Sequence, residues 1–244
     1  TTEGHYFIAM EYVSGTTLVR YLATALGSKR YLSIQLVAFL MLQLARALDH
    51  VHTRRTRDGQ DLNIIHMDLA PHNMLVTVEG QLKVMDFGIA RSTGLGNLPR
   101  RRDFRGRTSY LAPEQLEGYP LDQRLDLFAA GVIMHEVLLG RPLFRARDDE
   151  HTVSRILMAE VPRPTQVRND CPQALEDVIM KALVRDRNQR YQTAGEMVTD
   201  LEACIASQAM ELSPERFRAE LLPLWESIAA DEQQRLSELQ HTPL

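Results

Sequence analysis

Asp68, Asn73 and Asp86 can each hold Mg²⁺ or take part in proton transfer, and they fall within one stretch, Ile64 to Ala90, IIHMDLAPHNMLVTVEGQLKVMDFGIA. Asp68 and Asn73 sit in a polar loop after a short apolar strand, and Asp86 follows a strand pair turning at Glu79-Gly80. Strands that fold back on each other bring the residues at their ends to one place. Two carboxylates and a carboxamide gathered in this way suit phosphoryl transfer, where positioning and charge neutralisation supply most of the catalysis. Alone, each residue reads as a capping Asp or a turn Asn. The set in order carries the chemical reading.

The elements that must position these groups follow from periodicity. His5 to Val13 is β-branched and aromatic and reads as a strand entering a turn at Ser14-Gly15. A helical patch near Thr17 to Ala25 precedes Ser33, the N-cap of a helix to His52 with Ile34, Val37, Leu40, Met41, Leu44, Leu48 and Val51 at helical spacing. Thr53 to Asp61 closes it in a loop, and Arg91 to Thr108 is a second, longer surface loop. Leu125 to Leu139 is apolar nearly all round, as in a helix at the centre of a domain, and Gly140 ends it. Helices follow near Glu150 to Glu160, Pro172 to Val184 and Thr193 to Ser207, with Pro162 and Pro164 marking a connection. A last helix starts at Ser213-Pro214-Glu215 with Phe217, Leu221, Leu224, Trp225 and Ile228 on one face; from Asp231 the chain is polar. Few strands early and helices afterward make the fold mostly α with a small β portion.

Composition narrows the classes. The chain has 244 residues, 44% hydrophobic and 25% charged, enough for a real core. A net charge of -4 points to neither nucleic acid nor an anionic membrane surface as a partner. Cys171 and Cys204 are far apart without metal-ligand spacing, which argues against a disulfide framework or a zinc site. The two most apolar runs are broken by Gln35, Gln43 and Arg46, and by Asp126, His135 and Glu136, so no membrane segment is expected. The start Thr1-Thr2-Glu3, without Met or a signal-like region, suggests a piece of a longer protein, cytoplasmic or the cytoplasmic part of one.

Three motifs carry a resemblance. His66-Met67-Asp68-Leu69-Ala70-Pro71-His72-Asn73, Asp86-Phe87-Gly88 and Ala112-Pro113-Glu114 are similar, in order, to the H-R-D-L-x-x-x-N, D-F-G and A-P-E set of protein kinases. From Tyr6 to Ala206 the chain resembles the C-terminal lobe of a eukaryotic-type Ser/Thr protein kinase, of the kind also found in bacteria. The resemblance implies residues 1–15 as the last strand of the N-terminal lobe and the hinge, 16–207 as a kinase-like C-lobe, and 208–244 as a helical tail or linker. It implies ATP and Mg²⁺ as cofactors and a protein Ser/Thr hydroxyl as acceptor. Asp68 would take the hydroxyl proton, and Asn73 and Asp86 would hold Mg²⁺. Glu11 and Val13 would bind an adenine edge through their backbone, with Met10 as gatekeeper and Leu75 as the floor beneath the purine. His66 would support the loop, Asp126 would hold its backbone, and Glu114 with Arg190 would form a buried ion pair.

Departures from the pattern bear on activity. Met67 replaces the Arg that pairs with a phosphorylated activation loop in many relatives, and Ala70 replaces the Lys that reaches the γ-phosphate. One charged hydrogen bond is worth about 1.5–3 kcal/mol, so roughly one to two decades in rate. His72 stands where tyrosine kinases, which share the Ala, have an Arg; protonated, it would supply part of the missing charge. Tyr110-Leu111-Ala112-Pro113-Glu114 resembles the Ser/Thr version of its segment, although Gly106-Arg107-Thr108-Ser109 departs from the usual Gly-Thr. Arg100, Arg101, Arg102, Arg105 and Arg107 make the preceding loop basic. No Gly-rich loop or strand Lys precedes His5, so the N-terminal lobe is expected to be a missing partner, the chain alone inactive, and an apolar face around Met10, Leu75 and Phe87 exposed. Two functions follow: a Ser/Thr kinase catalytic fragment, or a non-catalytic kinase-like interaction or regulatory module.

Overall fold

A computed structural model describes residues 11–28, 30–87 and 108–240. Its centre is the helix α4 (Arg124–Leu139), in which every residue from Leu125 to Leu139 is buried. The sequence that is apolar all round therefore has protein all round it. Gly131 marks the tightest approach: a Cβ there would come within 2.8 Å of the Ala182 Cβ. Gly140 adopts φ 64° and its N–H returns to the Glu136 carbonyl, the left-handed termination that favours glycine.

Against α4 lie α2 (Ile34–His52) and α7 (Gln173–Ala182), with α8 (Ala194–Ser207) packed along α2. Ser33 caps α2 by accepting the Leu36 N–H, as its sequence position predicts. By length and hydropathy α2 could cross a membrane, but it is the core helix that carries Leu36, Leu40, Met41 and Leu44 into the interior. A part-buried polar residue of the helix, Gln43, has a task. The Gln43 carboxamide donates to the Gly80 carbonyl and accepts the Leu82 N–H, which pins the turn between two strands.

Those strands are β2 (Met74–Thr77) and β3 (Leu82–Val84), antiparallel in the register Met74 to Val84, with Gly80 at φ 79° in the turn. The third strand, β1 (Gly15–Thr17), pairs with the other edge of β2. This corrects the sequence reading, which placed a turn at Ser14-Gly15. The pairing with β2 makes Gly15 a strand residue, because a Cβ there would meet the Val76 carbonyl oxygen at 2.7 Å. Of the strand expected at His5 to Val13, residues 11–13 have no regular structure and the rest lies outside the described residues.

β1 runs directly into α1 (Leu18–Gly27). After the site come α3 (Pro113–Glu117), α5 (Asp149–Met158) and α6 (Pro164–Val167), the last a short helix where the prolines predicted only a connection. The tail forms α9 (Pro214–Gln240), which runs past Asp231 and through Pro223. It docks on the lobe: Phe217 stacks on Phe39 at 4.6 Å, and Phe217, Leu221, Leu224 and Ile228 are buried. The Glu220 carboxylate accepts both the N–H and the hydroxyl of Ser33, each at 2.6 Å. α9 thus covers the β2–β3 turn and the start of α2, then lies along α1, where Arg20 pairs with Glu232.

Candidate active site

The polar loop between Ile64 and Met74 has little regular structure of its own, so its shape depends on side chains from elsewhere. Asp126, fully buried at the start of α4, is the main support. Its Oδ2 accepts the His66 N–H at 2.8 Å and the His52 Nε2–H at 2.9 Å, while Oδ1 accepts the Met67 N–H at 3.0 Å. These bonds hold Met67 at φ 64°, a conformation that costs a non-glycine residue about 1–3 kcal/mol.

His66 joins the loop to the second carboxylate. Its Nδ1 accepts the Asp68 N–H at 3.3 Å, which leaves Nε2–H to donate to the Met85 carbonyl at 2.9 Å. The Met85 N–H in turn donates to the Asn73 carbonyl at 2.8 Å. Asp86 is therefore placed beside the loop by bonds to the residue before it, and it also holds a left-handed φ of 54°. Phe87 packs on the His66 ring with centroids 4.7 Å apart.

Asn73 ends the 3₁₀ turn Pro71–Asn73 and is buried. Its carboxamide nitrogen donates to the Asp68 carbonyl at 2.8 Å and to the Asp68 Oδ2 at 3.3 Å. Both N–H bonds point at Asp68, so the Oδ1 lone pairs remain for a cation. An exposed carboxylate and a carbonyl oxygen suit Mg²⁺, which takes one or two protein oxygens and completes its shell with phosphate and water. No group of three or more His, Cys, Asp or Glu that could hold a metal occurs among the described residues, so a closed protein cage is not the alternative there.

The predicted nucleotide side is less closely assembled. Leu75 is half-buried on β2, opposite Lys83 of β3, and the Lys83 ammonium reaches the Glu11 carboxylate at 2.6 Å. This exposed pair lays the Glu11–Val13 segment beside the sheet that carries Leu75. Met10 lies outside the described residues, as do Gly88 and the basic loop from Arg91 to Arg107. Of the apolar face expected around Met10, Leu75 and Phe87, the two described members are half-buried.

His72 is half-buried in the turn between Pro71 and Asn73, and Ala70 is buried just before it. Thr108 and Ser109 begin the turn ahead of Ala112-Pro113-Glu114, where the Thr108 hydroxyl donates to Asp149 at 3.3 Å. Glu114 then meets Arg190 in a bidentate pair at 2.7 and 2.8 Å, with both side chains at most 5% exposed. The other Arg190 donors reach the carbonyls of Val184, Arg185 and Arg124, so all five are used.

Two features have no signal in the sequence. One is His52, the third donor on Asp126, which ends α2 and meets Asp126 only in the folded chain. The other is Glu136, whose Oε2 accepts the Tyr110 hydroxyl at 2.8 Å and whose Oε1 accepts the Leu143 N–H at 3.2 Å. Burial raises the Glu136 carboxyl to about 7 despite those bonds, and burial next to that carboxylate raises the Tyr110 phenol.

Against known proteins, the family model described as the protein kinase domain matches residues 1–201. The chain is 34% identical over 204 residues to the tyrosine-protein kinase MasK of Myxococcus xanthus, covering 84% of this chain and 32% of that protein. It is 33% identical to the serine/threonine-protein kinase PrkC of Bacillus subtilis, covering 87% and 31%, and 35% identical to the serine/threonine-protein kinase PknB of Mycobacterium tuberculosis, covering 80% and 30%. The chain therefore spans about a third of the length of these relatives.

Proposed function

The chain belongs to the protein kinase family, and from that premise we propose that it is the C-lobe of a Ser/Thr kinase. Joined to an N-terminal lobe bearing a Gly-rich loop and a strand Lys, it would move the γ-phosphate of ATP to a Ser or Thr hydroxyl of a protein. The observation that carries this reading is the Asn73 carboxamide, which fixes Asp68 through two bonds and leaves its own oxygen for a cation. A scaffold has no need of that arrangement for folding.

Each residue then has a task. The Asp68 carboxylate orients the acceptor hydroxyl and takes its proton. Asn73 sets the rotamer of Asp68 and, with the Asp86 carboxylate, would hold Mg²⁺. His66 keeps the two carboxylates in register. Leu75 would lie under the purine, with backbone groups of Glu11 and Val13 at its edge and Met10 behind it. Bound Mg²⁺–ATP supplies the phosphoryl group and neutralises part of its charge. His72 is proposed to supply part of the positive charge missing at Ala70.

Two observations favour other readings. Ala70 and Met67 favour a non-catalytic regulatory module. Ala70, with the tyrosine kinase among the relatives, favours a tyrosine acceptor. The test is phosphate transfer by the chain joined to its N-terminal lobe, against Asp68→Asn, followed by identification of the phosphorylated residue. Transfer that falls at least about 100-fold in the variant and yields phosphoserine or phosphothreonine supports the proposal. Equal counts in the two proteins would remove catalysis, and phosphotyrosine alone would change the acceptor.

A further inference from the structure

Asn73 and Asp86, the two residues proposed to hold Mg²⁺, flank one hairpin. Asn73 immediately precedes β2, and Asp86 follows β3 by two residues. Their separation is therefore set by how β3 lies against β2. β3 is three residues long and the outer strand of the described sheet, so β2 alone aligns it by strand pairing. A short two-stranded hairpin is marginal by itself and needs packing to hold its shape. At the open end the Met85 N–H reaches the Asn73 carbonyl, and the Met85 carbonyl accepts the His66 Nε2–H. The turn end is held from outside the sheet.

Gly80 sits in that turn between two helices. Gln43 of α2 bonds the Gly80 carbonyl and the Leu82 N–H. A Cβ on Gly80 would lie 3.4 Å from the Phe217 Cβ, 3.6 Å from the Phe39 ring and 3.8 Å from a Leu221 methyl, so side chains of α9 and α2 close over the turn. Phe39 stacks on Phe217, and Phe217 and Leu221 are buried. Phe217, Glu220 and Leu221 share one helix face, and the Glu220 bonds to Ser33 fix that face to the start of α2. α9 thus presses on one end of the hairpin, while Asn73 and Asp86 lie at the other, one four-residue strand or roughly 13 Å away.

We propose that α9 braces the metal site from behind: Phe217 and Leu221 are positioning residues that, through the β2–β3 turn, keep Asp86 at the distance from Asn73 that one Mg²⁺ requires. The identity of the cation rests on the kinase reading, whereas the mechanical link from tail to hairpin does not. With the turn unsupported on its α9 side, β3 keeps its bonds to β2 but gains freedom to twist, and the displacement is largest where the strand runs on to Asp86. Mg²⁺ tolerates little departure from oxygen distances of about 2.0–2.1 Å, so a small displacement of one ligand weakens the site.

The test combines hydrogen exchange in the 244-residue chain with the Mg²⁺ dependence of phosphate transfer in the full-length protein. Phe217→Ala is compared with Phe217→Leu, which keeps an apolar contact on Gly80, and with Leu175→Ala, which opens a cavity in α7 where that helix packs on α4 and α8. Leu221→Ala, the milder truncation over the same turn, carries the comparison where Phe217→Ala does not fold. In Phe217→Ala the Leu82 and Met85 amides should exchange about tenfold faster relative to the core amides of α4. The Mg²⁺ concentration for half-maximal transfer should rise about tenfold, with kcat at saturating Mg²⁺ changed less than about twofold. Phe217→Leu should restore most of both, and Leu175→Ala should lower the melting temperature while leaving both unchanged. Parent exchange rates at Leu82 and Met85 in Phe217→Ala, or equal effects of Leu175→Ala, would overturn the brace. Faster exchange with an unchanged Mg²⁺ requirement would overturn its role at the metal site and leave the kinase reading. Faster exchange in a protein that transfers no phosphate at any Mg²⁺ concentration would keep the link from tail to hairpin and remove the catalytic reading.

Discussion

Replacing Asp126 with Asn tests whether the catalytic loop is held from α4. The carboxylate accepts three hydrogen bonds, two on Oδ2 and one on Oδ1. A carboxamide keeps the shape but has one accepting atom. Its best placement directs Oδ1 to His66 and His52, so its NH₂ faces the Met67 N–H. Two donors, the Met67 N–H and the facing carboxamide N–H, are then left without an acceptor, at about 1–3 kcal/mol each, and the remaining bonds lose their charge assistance. The expected loss of stability is about 3 kcal/mol, or roughly 6–12 °C in melting temperature for a domain of this size. The effect should be local first. Hydrogen exchange at the Met67 amide should speed up by about two decades. Without that bond Met67 can relax from φ 64°, and, for the phosphate transfer proposed for the chain joined to its N-terminal lobe, a shift of about 1 Å in Asp68 would slow it about 100-fold. An Asp126→Asn protein that melts within about 1 °C of the parent and keeps its Met67 amide protected would refute the reasoning.

Other outcomes follow from the same geometry. Arg190→Ala should cost about 3–5 kcal/mol in urea unfolding, because Glu114 is left buried without its partner; a smaller loss in a Glu114→Ala, Arg190→Ala double variant would confirm the coupling. Glu136 binds its proton more tightly folded than unfolded, so its contribution is fully present below about pH 4.5 and is lost as pH rises through about 7. Unfolding at pH 5 and pH 8 should show up to about 3 kcal/mol of this dependence, and Glu136→Gln should abolish it. Phe217→Ala should destabilise by about 3–5 kcal/mol, measured by thermal melting, if α9 belongs to the folded unit. For the phosphate transfer proposed for the chain joined to its N-terminal lobe, His72→Ala should lower kcat about tenfold while His72→Arg retains it, if a positive charge at this place replaces that missing at Ala70.

Much of this protein was legible in the order of its residues. Ser33 before an apolar 3.6-residue period, the unbroken apolar run ending at Gly140, and the motifs around Asp68, Asp86 and Glu114 each report a local requirement that one segment states by itself. So did the partnership of Asp126 with the loop and of Glu114 with Arg190, through the family pattern, and the structure brings both pairs together. Where local preference was the only guide, the reading slipped. Ser14-Gly15 looked like a turn because glycine breaks strands in general, and Gly15 is nevertheless in β1 because the Val76 backbone leaves no room for a side chain.

Tertiary structure alone decided what depends on two distant segments arriving at one point. The tail has an apolar face in any reading, but its docking is fixed by Phe39, Ser33 and Gly80, which lie far back in the chain. His52 gains a role only where it meets Asp126, and Glu136 acquires its raised pKa only once burial removes water from its carboxylate. The left-handed turn at Met67 is likewise invisible in a residue type that seldom adopts one. Sequence determined which groups are available for phosphate chemistry, because chemical identity is local. Their alignment is a property of the packed chain, because Asn73 holds Asp68 within the loop but Asp126 of α4 holds the loop itself, and Met85 beyond β3 joins Asp86 to it.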